Sequence, residues 1–137
     1  MSAREPVGEH PNAARIRGLF DAFHARDLAA IRDALAADAV WHFPGRAGRL
    51  AGSHVGHAAI FGFLARVSEL TEGSFELQLE QILANDTHAV VFFRGRGRRL
   101  DRVLDNPTCL KIRMREGRAE EIHEFVWDLF AVDAFWS

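Results

Sequence analysis

Three side chains stand out as candidates for proton chemistry, and two of them lie near the carboxyl end of the chain. Glu124 and Asp128 are carboxylic acids, and an apolar environment raises the pKa of such a group toward neutrality. His42 carries an imidazole, whose ordinary pKa is already close to neutral. We therefore take Glu124, Asp128 and His42 as candidate catalytic residues for general acid–base catalysis.

Each of these residues also has a structural interpretation. Glu124 pairs, on that view, with a neighbouring histidine or arginine and only holds a sheet together. Asp128 would cap the end of a strand or form a salt bridge. His42 would face outward, because Trp41 and Phe43 on either side of it are apolar and neighbouring residues of a strand point to opposite faces.

Metal and thiol chemistry find less support. His54 and His57 are spaced like a pair of metal ligands, yet no third ligand can be named. Cys109 is the single cysteine and has no evident base beside it. We therefore expect no metal and no organic cofactor.

The run of arginines between Arg94 and Arg99 is the strongest local charge feature. Such a cluster is able to bind nucleic-acid phosphates. The alternative is a strand end that Asp101 and Asp105 neutralise. Because the whole chain carries a net charge of −2, we expect no nucleic-acid partner.

The composition predicts one soluble domain. The chain has 137 residues, of which 48% are hydrophobic, and this is enough to bury a core. Its first twelve residues are polar, with two prolines, and do not resemble a signal peptide. We expect a flexible tail over residues 1–11, a single domain over 12–137, a cytoplasmic location and no contact with a membrane.

Helices are predicted in the first half of the chain. Asn12 is expected to cap the first helix, Asp27 a short second one, and a third should span about residues 56–70. Between the last two, residues 39–43 predict a strand and residues 44–56 a loop. The helical assignment rests on apolar residues at helical spacing: Ile16, Leu19, Phe20 and Phe23; Leu28, Ile31 and Leu35; and Ile60, Phe63, Leu64 and Val67.

Strands follow from Phe75 onward, where apolar and polar residues alternate. We predict them from residue 75, from 87 to about 94, around 108–115, and from about 119 toward 128. Helices followed by a meander indicate an α+β fold in which a curved antiparallel sheet packs on three N-terminal helices. A broad sheet with apolar side chains on its outer face, such as Phe125 or Trp127, also predicts a homodimer.

Four segments resemble the nuclear transport factor 2-like superfamily, and in particular its SnoaL-like and ketosteroid-isomerase-like group. The resemblance covers about residues 13–137 and implies a cone-shaped, cystatin-like roll. The segments are FHARDLAAIRDALAADAVWHFPG, LAGSHVGHAAIFGFL, MREGRAEEI and WDLFAVDAFWS.

The resemblance excludes one activity of that superfamily. The position that matches the general base of ketosteroid isomerases is Phe43, which cannot accept a proton. Their oxyanion hole uses a tyrosine and a protonated aspartate. This chain has no tyrosine, and Leu110 lies near the position of the aspartate. Steroid isomerisation by that set of residues is therefore not expected.

The resemblance further implies that Glu124 points into an apolar pocket, and that Asp128 lies in the region of the catalytic aspartate of SnoaL-like cyclases. We expect the chain to bind a small apolar molecule. It would act either as a cofactor-independent isomerase, cyclase or lyase, or as a non-catalytic ligand-binding or dimerisation module. The residues expected to line the pocket are Phe20, Trp41, Phe43, Phe61, Leu64, Leu110, Ile112, Met114, Ile122 and Val126.

Overall fold

The computed structural model describes residues 9–137 and contains four helices and six strands in this range. The predicted flexible tail, residues 1–11, falls mostly outside the described residues. In chain order the elements are α1 (Pro11–Ala25), α2 (Leu28–Ala34), β1 (Leu35–Phe43), β2 (Gly52–Val55), α3 (Gly56–Leu70), β3 (Glu76–Ala84), β4 (His88–Arg99), β5 (Arg102–Arg115), β6 (Arg118–Val126) and α4 (Leu129–Trp136).

All six strands form one curved, open sheet in the order β2-β1-β6-β5-β4-β3. Neighbouring strands are antiparallel except β1 and β6, which run parallel. This parallel pair joins the first strand of the chain to the last one. As a result, Trp41 of β1 lies beside Ile122 of β6, and His42 lies beside His123.

Helices α1, α2 and α3 cover one face of the sheet and enclose the core. Ile16, Leu19 and Phe20 of α1 are buried there, as is Ile60 of α3. Helix α4 packs against β5 and contributes Phe135 and Trp136. The α+β class and the curved sheet on N-terminal helices are therefore as predicted from the sequence.

Details at the ends of elements differ from the predictions. Asp27 does cap α2, since its side chain accepts a hydrogen bond from the backbone N–H of Ala30 at 3.1 Å. The cap of α1 is His10, whose Nδ1 accepts from the N–H of Asn12, and not Asn12 itself. Residues 44–56, predicted as a loop, contain β2.

The last strand ends earlier than predicted. Strand β6 stops at Val126, and helix α4 follows where the sequence predicted a continued strand toward residue 128. Strand β4, in turn, extends through the arginine run to Arg99. Within residues 9–137 no helix combines the length and the apolarity that a bilayer crossing requires.

Candidate functional site

A cavity of about 970 Å³ lies between the concave face of the sheet and the helices. Its wall is mostly apolar and aromatic, which is typical of small-molecule sites. Strands β5 and β6 supply Leu104, Thr108, Glu124 and Val126 from one end of the sheet. The volume is sufficient for an organic molecule of several rings.

Glu124 is the half-buried carboxylic acid in the wall of this cavity. Its position on β6 pairs with Leu110 of β5, and both point toward the helices. The indole Nε1–H of Trp41 donates a hydrogen bond to Oε1 of Glu124 at 3.1 Å. Among the described residues nothing donates a hydrogen bond to Oε2. No buried side-chain oxygen lacks a partner there, so Oε2 is accessible and open to the cavity.

The surroundings of Glu124 raise its pKa to about 7. The main cause is desolvation by the apolar wall, and the hydrogen bond from Trp41 acts in the opposite direction. The side chain is half-buried, and its accessible part faces the cavity. The low-dielectric wall still surrounds the carboxyl group, so the charged form is disfavoured.

Other polar groups near Glu124 bond to each other. Asn106 donates to the hydroxyl of Thr108 at 3.1 Å, and its side-chain oxygen accepts from the N–H of Asp128 at 3.3 Å. Farther out, exposed charged residues, among them Arg26, Glu69, Glu72 and Glu76, lie around the cavity rim. Glu124 is therefore the half-buried charged residue of the cavity wall, whereas these others are exposed.

Six of the ten residues expected to line the pocket do so, and four do not. Those in the wall are Phe20, Trp41, Phe43, Phe61, Leu64 and Val126. Leu110, Ile112, Met114 and Ile122 share the inward face of their strands with Glu124, but they are buried in the core. Alternation in the sequence gives the face of a residue, whereas the extent of the cavity along the strand depends on where the helices pack.

Asp128 lies outside the cavity wall, contrary to the expectation that it would be a catalytic acid. It is exposed and caps α4, since its carboxylate accepts from the N–H of Ala131 at 3.0 Å. The alternative expected from the sequence was a cap at a strand end or a salt bridge, whereas the residue is the N-cap of a helix. The reason for the capping role is that β6 ends at Val126 and the chain turns into a helix there.

His42 also faces away from the cavity. It lies on the outer face of the sheet, where its ring bonds to Ser53 and Glu121. The catalytic assignment of His42 therefore has no support from its position, and the outward orientation considered in the sequence analysis applies. His54 bonds to the carbonyl of Leu50 and stacks on Phe63.

The arginine run is divided among several structural roles. Arg94 and Arg96 both pair with Asp105, at 2.6 and 3.4 Å. Arg99 is buried and donates to the carbonyl of Ser137 at 2.8 Å. On a neighbouring strand, burial raises the pKa of the Cys109 thiol, which disfavours the nucleophilic thiolate.

Asp133 of α4 has a structural role that the sequence did not indicate. Its carboxylate accepts hydrogen bonds from the backbone N–H groups of Arg46, Ala47 and Gly48. These bonds hold the pKa of Asp133 below its usual value. They tie the loop after β1 to α4 and so fix one wall near Phe43 and Trp136, both of which line the cavity.

Comparison with known proteins gives the chain its family. The profile of the SnoaL-like domain matches residues 16–134, which is most of the chain. The chain belongs to the SnoaL-like family.

Solved structures share this SnoaL-like fold. Bal32a, from a soil-derived mobile gene cassette, superposes with a TM-score of 0.88 at 32% identity, over 93% of this chain and 97% of that one. TerC, co-crystallised with polyporic acid, gives a TM-score of 0.76 at 25% identity, over 92% of this chain and 98% of that one.

A sequence relative shows the same extent of similarity. An uncharacterised protein of Mycobacterium tuberculosis is 29% identical over 89% of this chain and 93% of its own.

The residues that the sequence resemblance assigns to ketosteroid-isomerase chemistry are absent from this chain. Phe43 replaces their base and lies in the cavity wall as an apolar surface. Leu110 is buried in the core. Neither position therefore supplies an acid or a base to the cavity.

Proposed function

We propose that the protein binds a small, mostly apolar molecule in the cavity and that Glu124 moves a proton on it, without a metal or an organic cofactor. The observation that carries this proposal is the position of Glu124: a carboxylate with one oxygen bonded to Trp41 and the other open to an apolar cavity. The reaction class is isomerisation, cyclisation or elimination that begins at an acidic carbon.

The chemistry follows from the two oxygens of the carboxylate. In its charged form Glu124 accepts a proton at Oε2 from a carbon next to a carbonyl group. The electron pair of that C–H bond forms a C=C bond, and the π electron pair of the carbonyl group moves to its oxygen. The protonated Glu124 then returns the proton to another atom of the same molecule. A pKa of about 7 suits both steps, because acid and base forms are both populated near neutral pH.

Trp41 positions the base. Its Nε1–H bonds to Oε1, which leaves Oε2 directed at the ligand, and its ring belongs to the cavity wall. Phe23 and Phe63 pack against the same ring. Such a wall favours flat or aromatic ligands, and it excludes the water that would otherwise lower the pKa of Glu124.

One solved relative supports a small organic ligand. TerC was crystallised with polyporic acid, an organic acid, and it shares the fold at 25% identity. We infer that this chain likewise takes an organic molecule in the cavity formed by its sheet and helices.

The proposal is testable with 2-tetralone, a neutral bicyclic ketone that has acidic hydrogens next to its carbonyl group. Hydrogen exchange at that carbon in heavy water is followed by proton NMR, and binding by saturation-transfer NMR. We expect the wild-type protein to bind the ketone and to accelerate the exchange. Glu124→Gln should keep the binding and lose the acceleration by at least roughly 100-fold.

Asp128→Asn is the matched control, since it neutralises the other candidate carboxylate while asparagine still caps α4. It should exchange the ketone at the wild-type rate. If both wild type and Glu124→Gln bind the ketone and exchange its hydrogens at the same rate, proton transfer by Glu124 is contradicted. The protein would then be a ligand-binding module. Absence of binding would contradict the apolar site itself.

We also propose a cytoplasmic homodimer that forms through the outer side of the sheet. Phe125 and Trp127 support this, since their side chains are 54% and 84% exposed. Light scattering during size-exclusion chromatography should give twice the mass of the chain, and Phe125→Glu should halve it. A monomeric wild-type protein would refute the dimer.

A further inference from the structure

A second cluster of titratable side chains lies on the outer face of the sheet, behind the cavity. His42 of β1 is beside His123 of β6 in the parallel pair, and their rings stack with centroids 4.3 Å apart. Glu121 lies two positions before His123, on the same face of β6. One ligand atom from each of the three side chains falls within 4.8 Å of the others.

We propose that His42, Glu121 and His123 bind one Zn²⁺ ion on the outer face of the sheet. Two imidazole nitrogens and one carboxylate oxygen form a ligand set that zinc uses in proteins, with a fourth position left for water. All three residues are half-buried, so the chain itself does not fully enclose them.

The contact between His42 and Glu121 shows where the ion would lie. Nε2 of His42 and Oε2 of Glu121 are 2.9 Å apart. Because a bare nitrogen lone pair and a carboxylate oxygen repel each other, a positive centre must lie between them, either a proton or a metal ion. Zinc bonds of about 2.0–2.2 Å to each atom require these two atoms to separate by only a few tenths of an ångström.

Neighbouring groups orient the ligands in the way that metal sites require. Nδ1 of His42 bonds to the hydroxyl of Ser53 at 2.7 Å, which holds the ring and leaves Nε2 for the metal. Arg113 forms an ion pair with Oε1 of Glu121, with Nη1 and Oε1 3.2 Å apart, and this contact leaves Oε2 free to coordinate. Lys111, opposite His123 on β5, adds a second positive charge nearby and limits the affinity.

The position of the ion gives it a structural effect. His42 follows Trp41 in β1, and His123 precedes Glu124 in β6, so each of the two histidine ligands is adjacent in sequence to one member of the cavity pair. A bound ion therefore cross-links the two parallel strands directly behind Trp41 and Glu124. This function is separate from the chemistry proposed for the cavity.

Isothermal titration calorimetry tests the site, with Zn²⁺ added to the full chain after EDTA treatment and buffer exchange. We expect one ion per chain and a rise in melting temperature when zinc is present. His123→Ala and Glu121→Gln should each weaken binding at least roughly tenfold. Within residues 9–137 the His123 ring stacks on His42 and Phe125 and has no side-chain hydrogen bond. His123→Ala should therefore fold, which circular dichroism checks.

His88→Ala is the matched control, because His88 is a half-buried histidine of β4 that bonds to Thr87 and lies outside the cluster. Its zinc affinity should remain within roughly twofold of wild type, since a ligand loss is what costs affinity. A cobalt titration should give the absorption bands of a four-coordinate ion in wild type and lose them in His123→Ala. No saturable zinc binding, or equal binding in wild type, His123→Ala and Glu121→Gln, would overturn the site.

Discussion

Nε1 of Trp41 lies 3.1 Å from Oε1 of Glu124, and this hydrogen bond joins β1, the first strand of the chain, to β6, the last one, inside an apolar cavity. The two residues are 83 positions apart in the chain. Their contact depends on the parallel pairing of β1 with β6, which places Trp41 beside Ile122. The same contact gives Glu124 its orientation and offsets a part of the desolvation that raises its pKa.

The raised pKa of Glu124 predicts a dependence of stability on pH. The folded state holds this proton up to about pH 7, whereas an unfolded glutamate loses it near 4.5. The raised pKa therefore has no effect on the free energy of unfolding well below pH 4.5. As the pH rises it lowers this free energy, and the loss is complete above pH 7. From pH 5 to pH 8, the free energy of unfolding of Glu124→Gln should increase by about 2–3 kcal/mol relative to that of wild type.

Urea unfolding at the two pH values measures this difference, and the comparison with wild type removes the contributions of the histidines. Glutamine retains an oxygen that accepts the hydrogen bond from Trp41, so the contact itself is kept. A stability difference between the two proteins that does not change with pH would contradict the raised pKa.

Replacement of Trp41 by phenylalanine should move the pKa of Glu124 upward. The hydrogen bond from the indole stabilises the charged carboxylate, and phenylalanine keeps an aromatic ring but has no N–H to donate. The rate of 2-tetralone exchange should therefore rise at a higher pH in Trp41→Phe than in wild type. A pH profile that is unchanged, or that moves to lower pH, would show that the indole does not act on the carboxylate.

Residues of the core and of the cavity wall should respond differently to truncation. Ile122→Ala removes a fully buried side chain from the packed end of the sheet and should cost about 3 kcal/mol of stability. Leu64→Ala trims a partly buried residue of the cavity wall and should cost only about 1 kcal/mol. Urea unfolding measures both costs.

Ligand binding should follow the opposite order. Leu64→Ala should change the affinity for 2-tetralone, while Ile122→Ala, which lies outside the wall, should not. Equal effects of the two variants on affinity would mean that the cavity extends deeper along the sheet than the structure places it.

Asp133→Asn should loosen the loop after β1. The aspartate accepts from three backbone N–H groups, and its lowered pKa means that these bonds favour the charged form. That stabilisation is present above pH 3.8 and disappears as the pH falls through the lower pKa of the folded state. The melting temperature at pH 7 should fall, and amide exchange at residues 46–48 should become faster. Unchanged protection of these amides would show that Asp133 does not hold the loop.

The fold was predictable because local patterns and long-range packing agree. The spacing of Ile16, Leu19 and Phe20 predicts the buried face of α1, and alternation after Phe75 predicts the meander. Strand β2 is short and largely exposed, so it has no apolar pattern to reveal it. Helix α4 was missed because its apolar residues continue directly from those of the last strand.

The candidate site was predictable only in part. The inward direction of Glu124 followed from the family resemblance, but its partner Trp41 depends on a pairing between distant strands that no local pattern reveals. The same pairing brings His42 and His123 together on the other face. Asp128 was misassigned because its environment depends on where β6 ends, and strand ends are the least certain feature of a sequence pattern.

The most direct measurement is the pKa of the Glu124 carboxyl group itself. Carbon NMR of protein with labelled glutamate side chains, titrated across pH 3–9 on wild type and on Glu124→Gln, identifies its signal by the loss in the variant. Our account predicts a midpoint of about 7. A midpoint near 4.5, the ordinary value for glutamate, would contradict a desolvated carboxylate that exchanges protons with a ligand in the cavity.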